Sequence, residues 1–190
     1  LSLDGSLSYP TYNGLEKINF SNSRIYGEKN IDTVDVILNL NHFESQFKTV
    51  LRLNLNNKKL SKVYLELDKI KVSELLKIWP NQFQPSVYYW MKENSSGKII
   101  DFVLSSQIFD SNAKLNLNNL NGKFNFFETK IKYMESMPSI TDITGSAIIK
   151  NENIEFIVSS GFSENLIVKS GFINLYDLLN NNFRKYGPEP

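Results

Sequence analysis

Run after run of this chain alternates apolar and polar residues with a period of two, and a single stretch, residues 73–97, changes to a helical pattern. Successive side chains of a strand point to opposite faces, so such runs read as half-buried strands. The fold expected is mainly β: an extended, curved, mostly antiparallel sheet, groove-like in form, with a short helical pair inserted near 73–94.

In the N-terminal part Leu1, Leu3, Leu7 and Tyr9 share one parity, and residues 31–40 form a β-branched, apolar run. Leu51, Leu53 and Leu55 line one face of 46–56, and Val63, Leu65 and Leu67 oppose Tyr64, Glu66 and Asp68 in 63–70. Turn-like clusters at 12–14, 27–30 and 56–59 separate these runs.

Ser73 is suited to cap a helix over 74–79, with Glu74 in the favourable first turn. Pro80 ends that helix, because the residue before a proline avoids the α region. A second helix is expected from Pro85 or Ser86 to about Asn94, a start where proline loses nothing. Val87, Trp90 and Met91 fall on one of its faces. Trp79, Pro80 and Trp90 are the expected anchors of the insert, and Gly97 releases the chain into the next strand. The rings of Trp79, Tyr88, Tyr89 and Trp90 have two readings. Either they bury apolar area against the sheet, or they stand at an opening where an amphipathic ligand passes.

After Gly97 the alternation is cleaner. Ile100, Phe102, Leu104 and Ile108 share a parity, as do Phe124 and Phe126, then Ile131 and Tyr133. Ile143, Ala147 and Ile149 follow, then Ile154, Phe156 and Val158, and last Leu166 and Val168 in 166–175. A further short strand is read at 114–118. Gly122, Gly145, Gly161 and Gly171 mark turns, bulges or bends. The layout is one section, 1–190: strands in 1–72, the insert in 73–97, strands in 98–178 and a tail or linker in 179–190. Repeated LNLNN and SGF pieces hint at a recurring hairpin unit.

With 190 residues the chain can bury one sizeable core, and its net charge of +1, with scattered Lys and Arg, supplies no field for nucleic acid. Cysteine is absent, which removes disulfides and thiolate chemistry, and the one histidine, His42, makes no zinc site by itself. His42 lies in the polar junction NLNHFES and reads as exposed or at an edge. Asp101, Asp110, Glu128 and Asp142 are spread over strands and turns, where carboxylates are ordinarily solvated. Ser95-Ser96-Gly97 and Ser159-Ser160-Gly161 lack the base that a nucleophile needs. No phosphate loop or dinucleotide fingerprint occurs. The expectation is a protein that is not an enzyme and takes no cofactor or metal. No run is long enough to span a bilayer. The sequence opens on Leu1 in mid-pattern, which reads as a section of a longer protein.

An apolar strand face must be covered. A second sheet covers it in a closed sandwich, and bound lipid covers it in an open sheet. Spacing alone does not separate the two.

From about residue 63 to 178 the chain resembles the central region of the AsmA-like proteins, most closely the YhdP-type branch. The ordered motifs are VYLELDKIKVSELLKIWP with Trp79-Pro80, then Trp90 in a second helix, then Gly97 leading a strand. LNNLNGKFNFFETKIKYMESMPSITDITGSAIIKNENIEF follows, with Tyr133, Pro138 and Gly145, and the SGF pieces close the series. Where the family often carries an arginine ahead of the second tryptophan, this chain has Tyr88 and Tyr89. The resemblance implies a periplasmic section of an inner-membrane-anchored protein of diderm bacteria, with the anchor in another part of the protein. It implies a hydrophobic groove sheltering phospholipid acyl chains on their way between the membranes, with an outer-membrane protein as a further partner. The groove candidates are Ile100, Phe102, Leu104, Phe124, Phe126, Ile131, Tyr133, Ile149, Phe156, Val158, Leu166 and Val168. The rival readings are a non-enzymatic factor in outer-membrane protein assembly, as the related TamB-like proteins look to be, and a closed β-sandwich with a scaffolding or adhesive role.

Overall fold

The computed structural model describes residues 2–10, 17–42, 44–79, 85–107, 119–132, 136, 138–151 and 153–176. Its described strands form one open antiparallel sheet of eleven strands, in the order of the chain through the tenth, with the eleventh pairing the ninth. They are β1 (Ser2–Pro10), β2 (Lys17–Lys29), β3 (Thr33–His42), β4 (Ser45–Asn54), β5 (Lys59–Lys71), β6 (Ser95–Gln107), β7 (Asn121–Ile131), β8 (Ile140–Lys150), β9 (Asn153–Ser163), β10 (Leu166–Val168) and β11 (Gly171–Leu175). Two short helices, α1 (Val72–Lys77) and α2 (Pro85–Asn94), join β5 to β6.

The last expected strand is interrupted rather than absent. Val168 lies opposite Gly161 and Gly171 opposite Val158, so β10 and β11 pair β9 in one unbroken register across Lys169 and Ser170. β2 carries no clean alternation, since its register with β3 slips between Ser21 and Arg24, where Asn22 has φ 48°. Ile31 belongs to the β2–β3 turn and is 93% exposed, and Leu55 lies beyond the end of β4, so neither extends a strand face.

α1 starts two residues before the expected position. β5 runs straight to Lys71, whose extended backbone serves as the N-cap without a side-chain hydrogen bond, so Ser73 is not the cap. Val72 is then buried at the junction. The helix closes with the Ile78 N–H donating to the Glu74 carbonyl. Gly97 does not open β6 but sits inside it with φ 121°, between irregular pairs. A Cβ there would lie 2.5 Å from the Thr129 Cα, so the position requires glycine for both its backbone angle and its space.

Two apolar clusters form the core. The first joins Phe20, Phe47, Leu67, Ile70, Val72 and Ile99, with Leu75, Leu76, Ile78 and Met91 of the insert laid over it. The second joins Phe126, Ile143 and Ala147 with Ile131, Ile140, Ile154, Phe156 and Val158, all from the sheet itself. Phe124 touches both.

Candidate functional site: an apolar face across the sheet

Residues directly opposite one another in an antiparallel ladder share a face. One row can therefore be followed across eight strands: Ile25, Leu38, Thr49, Leu65, Leu104, Gly122, Ile149 and Ile154. Only Thr49 and Gly122 in it are not large aliphatic residues. At Gly122 the side chains of Leu104 and Ile149 close in, and a Cβ would lie 2.8 Å from Leu104 Cδ1. Seven inter-strand steps of ~4.8 Å make this row about 34 Å long. A parallel row toward the insert runs Leu40, Phe47, Leu67 and Phe102, and continues past an irregular pair through Phe124, Ala147, Phe156 and Ile173. Its rings meet in tilted and edge-on contacts, Phe102 to Phe124 at 5.9 Å and Phe124 to Phe156 at 6.1 Å between centroids.

The cover over this face is uneven. The insert packs on the face at β5 and β6. Since the described strands form a single sheet, no second sheet lies over either face among the described residues. Ile25, Leu38, Leu65, Leu104, Ile154, Phe156 and Val158 are only half-buried, each shielded mainly by its neighbours.

Four strands bend at bulges whose extra residue has a left-handed backbone: Asn22 in β2, Asp101 in β6, Glu128 in β7 and Asp142 in β8. Each bulge shifts the inward parity. In β6 it separates Ile99, buried at 6%, from Phe102 and Leu104. Ile100 lies opposite exposed Lys69 and Asn125, so it belongs to the polar face and not with Phe102 and Leu104 as its parity suggested. In β7 the bulge keeps Thr129 and Ile131 inward, on the side of Phe124 and Phe126. The polar side chains at these bulges are held. Asn125 donates to Asp101 at 3.0 Å, and Lys98 pairs with Glu128 at 2.7 Å.

Of the expected groove residues, Phe102, Leu104, Phe124, Phe126, Ile131, Ile149, Phe156, Val158 and Val168 lie on the common face. Leu166 shares the parity of Val168 but is 71% exposed at the sheet edge, beyond the core clusters. Tyr133, Pro80, Ile108, Asp110 and the strand read at 114–118 lie outside the described residues. Sequence parity missed Leu38, Ile25 and Ile70, whose strands carry irregular or mixed alternation. In the insert Tyr88 is buried to 7% whereas Trp90 is 39% exposed, so the tyrosine makes the tighter contact.

His42 is buried at 7%, not exposed. Its ring lies 5.5 Å from that of Phe20, its Nδ1 donates to the Asn19 carbonyl at 3.0 Å, and its Nε2 is 3.5 Å from Glu74 Oε2 on α1. Burial pushes the Glu74 carboxyl up, but the hydrogen bond and charge of Lys77, with those of His42, leave it below the ordinary value. These contacts tie α1 to the end of β3.

The opposite face is ionic over β1–β5. Arg52 grips Asp35 through two hydrogen bonds of 2.7 Å, and Arg24 pairs with Asp4 at 3.1 Å. The Arg52 hydrogen bond holds the Asp35 carboxyl below its ordinary value in spite of burial. The β2–β3 turn, Lys29 to Thr33, presents an open surface without a nucleophile–base pair. Among the described residues no group of three or more His, Asp or Glu is placed to hold a metal ion, and no helix is long and apolar enough to cross a membrane.

Comparison of the chain with protein-family models, with curated proteins and with solved structures finds no match.

Proposed function

We propose that this chain is a section of a lipid-transfer groove, in which the half-covered sheet face shelters the acyl chains of phospholipids. The observation that carries the reading is the apolar row from Ile25 to Ile154, crossing eight strands with no second sheet above it among the described residues. A diacyl lipid carries roughly 30 methylenes, and each gains about 0.8 kcal/mol on leaving water. A continuous apolar floor supplies that stabilisation without a specific contact, so a lipid can move along it. The bulges at Asp101, Glu128 and Asp142 keep one face apolar while the strands bend. The insert forms a wall at β5 and β6, and among the described residues the inner face of β7–β11 is covered only by the sheet's own side chains.

On this reading no bond is made or broken, and the chain acts by burial alone. The resemblance to the AsmA-like proteins supports the same assignment. With it we propose a periplasmic location, within an inner-membrane-anchored protein that moves phospholipid toward the outer membrane.

The test is to purify the chain from a diderm host, extract it, and identify bound lipid by mass spectrometry. Phospholipid at a fixed ratio in the wild-type chain, and its loss in Phe124→Asp, is the expected result. A folded wild-type chain free of lipid, which also fails to protect a fluorescent phospholipid from water, ends the proposal.

A further inference from the structure

The chain's one histidine is buried between two oxygen acceptors. His42 Nδ1 meets the Asn19 carbonyl at 3.0 Å, and Nε2 lies 3.5 Å from Glu74 Oε2 on α1. A carbonyl only accepts, so Nδ1 carries a proton. Lys77 is bonded to the other Glu74 oxygen at 2.9 Å, and the buried Oε2 has no hydrogen-bond partner among the described residues. Leaving a buried carboxylate oxygen bare is costly, and Nε2 is the nitrogen set beside it. Burial pushes the Glu74 carboxyl up, yet Lys77 and His42 leave it below its ordinary value, so it is charged through the neutral range.

With a proton on Nδ1 alone, the Nε2 lone pair faces the carboxylate and the two repel. With a proton on both nitrogens, Nε2 donates to Glu74, each acceptor has its donor, and the charges are opposite. We propose that His42 and Glu74 form a proton-operated clasp for the insert: the doubly protonated ring holds α1 on the end of β3, and loss of the Nε2 proton to water loosens α1 on the sheet. Glu74 and, behind it, Lys77 are the charged groups that α1 sets against the ring. From β2 the ring meets Phe20 and the Asn19 carbonyl, and on β4 it lies opposite Ser45, none of which titrates. The nearby charges of the β3–β4 turn and β5, Glu44 and Lys69, are largely solvated and pair with one another at 3.3 Å. Beneath α1 lie Phe47, Leu67 and Ile70, so a loosened insert uncovers more of the apolar face. The clasp rests on its own geometry and stands apart from the lipid reading.

The contact is complete on the acid side of the imidazole range and is lost as pH rises through it. Amide hydrogen exchange reads the docking of α1 directly, through the Ile78 N–H bonded to the Glu74 carbonyl and its neighbours. After correction for the intrinsic effect of pH on exchange, protection of these amides in the wild-type chain should fall about tenfold between about pH 5.5 and about pH 8.5. Protection of β7–β9 over the same range is the internal reference and should stay level. Glu74→Gln brings its own amide donor to the neutral ring, so its α1 protection should be the same at both pH values. Equal wild-type protection of α1 at the two pH values overturns the proposal, and that comparison decides even if the variant does not fold. So does a fall shared by β7–β9, which would mark loss of the whole fold, or a folded Glu74→Gln chain that keeps the wild-type pH dependence.

Discussion

The two halves of the inner face solve the same covering problem in different ways. Over β3–β6 the insert lays Leu75, Leu76, Ile78 and Met91 on Phe47, Leu67 and Ile70, and the latter pair are each 3% exposed. Over β7–β11 the sheet has only its own side chains, and Phe156, Val158 and Ile154 stay half-buried around Phe126 and Ala147. The opposite face inverts the contrast. It is ion-paired over β1–β5 and carries exposed Ile148, Ile157, Phe162 and Phe172 over β8–β11. The insert therefore caps the first half, whereas in the second Phe126, Ile143 and Ala147 are buried as deeply by the sheet's own side chains, and the half-buried Ile154, Phe156 and Val158 are the apolar surface left partly open among the described residues.

The largest effect should come from the capped half. Leu67→Asp places a charge beneath the insert with no partner at hand and should cost about 5 kcal/mol, most of the stability of a domain this size. Urea unfolding followed by circular dichroism measures it. A loss below about 1 kcal/mol would mean that water reaches this cluster and that the capped half is not capped.

Gly145→Ala comes next. A Cβ at Gly145 collides with the Ile157 carbonyl and reaches 2.5 Å from Phe126 Cζ, so the ring that rests over this glycine must move. Loss of that packing should cost about 3 kcal/mol. Gly145→Ala combined with Phe126→Leu should recover part of it, and a loss unchanged in the double variant would locate the strain in the backbone alone.

Phe156→Asp tests the second half. The residue is half-buried, so the carboxylate keeps much of its water, and the stability loss should be about 1–2 kcal/mol. Phospholipid carried by the purified chain should fall about tenfold. Equal destabilisation by Phe156→Asp and Leu67→Asp would erase the difference between the halves.

Much of this contrast was legible in the sequence. Phe124 with Phe126, Ile143 with Ala147 and Ile149, and Ile154 with Phe156 and Val158 announce one face because their strands run several residues without a slip. The helical pair is announced by Pro85 and the aromatic run after it. What escaped depends on contacts distant in the chain. Asp101, Glu128 and Asp142 read as ordinary outward-facing carboxylates, and nothing in their local sequence shows that each adopts a left-handed backbone and resets the parity beyond it. That is why Ile100 reads in the sequence as a partner of Phe102. His42 reads as exposed because its neighbours are polar, whereas its burial comes from Phe20 and Glu74, 22 and 32 positions away in the chain. The short α1 starts at Val72 because β5 delivers a buried residue there, and tertiary packing displaced the cap that Ser73 would have made.

The smallest expected effect belongs to the ionic face, where charge does the work that apolar contact does elsewhere. Asp35 is 11% exposed and Arg52 43%, so water screens their two-pronged pair in part, and about 1 kcal/mol is a fair expectation for it. The Asp35 carboxyl is held below its ordinary 3.8 in the folded chain, first by the Arg52 hydrogen bond. A depressed carboxylate stabilises the fold above the unfolded value, and its contribution disappears as pH falls through the folded value. Asp35→Asn should therefore lower the urea midpoint at neutral pH, and the gap between variant and wild type should close below about pH 4. Comparing the two proteins at each pH cancels the parallel acid response of Glu74, which both retain. A gap that stays open in acid would assign the loss to the shape of the pair rather than its charge. Ile37, buried at 7% on this same face and opposite Tyr26 and Val50, would then be the next residue to truncate.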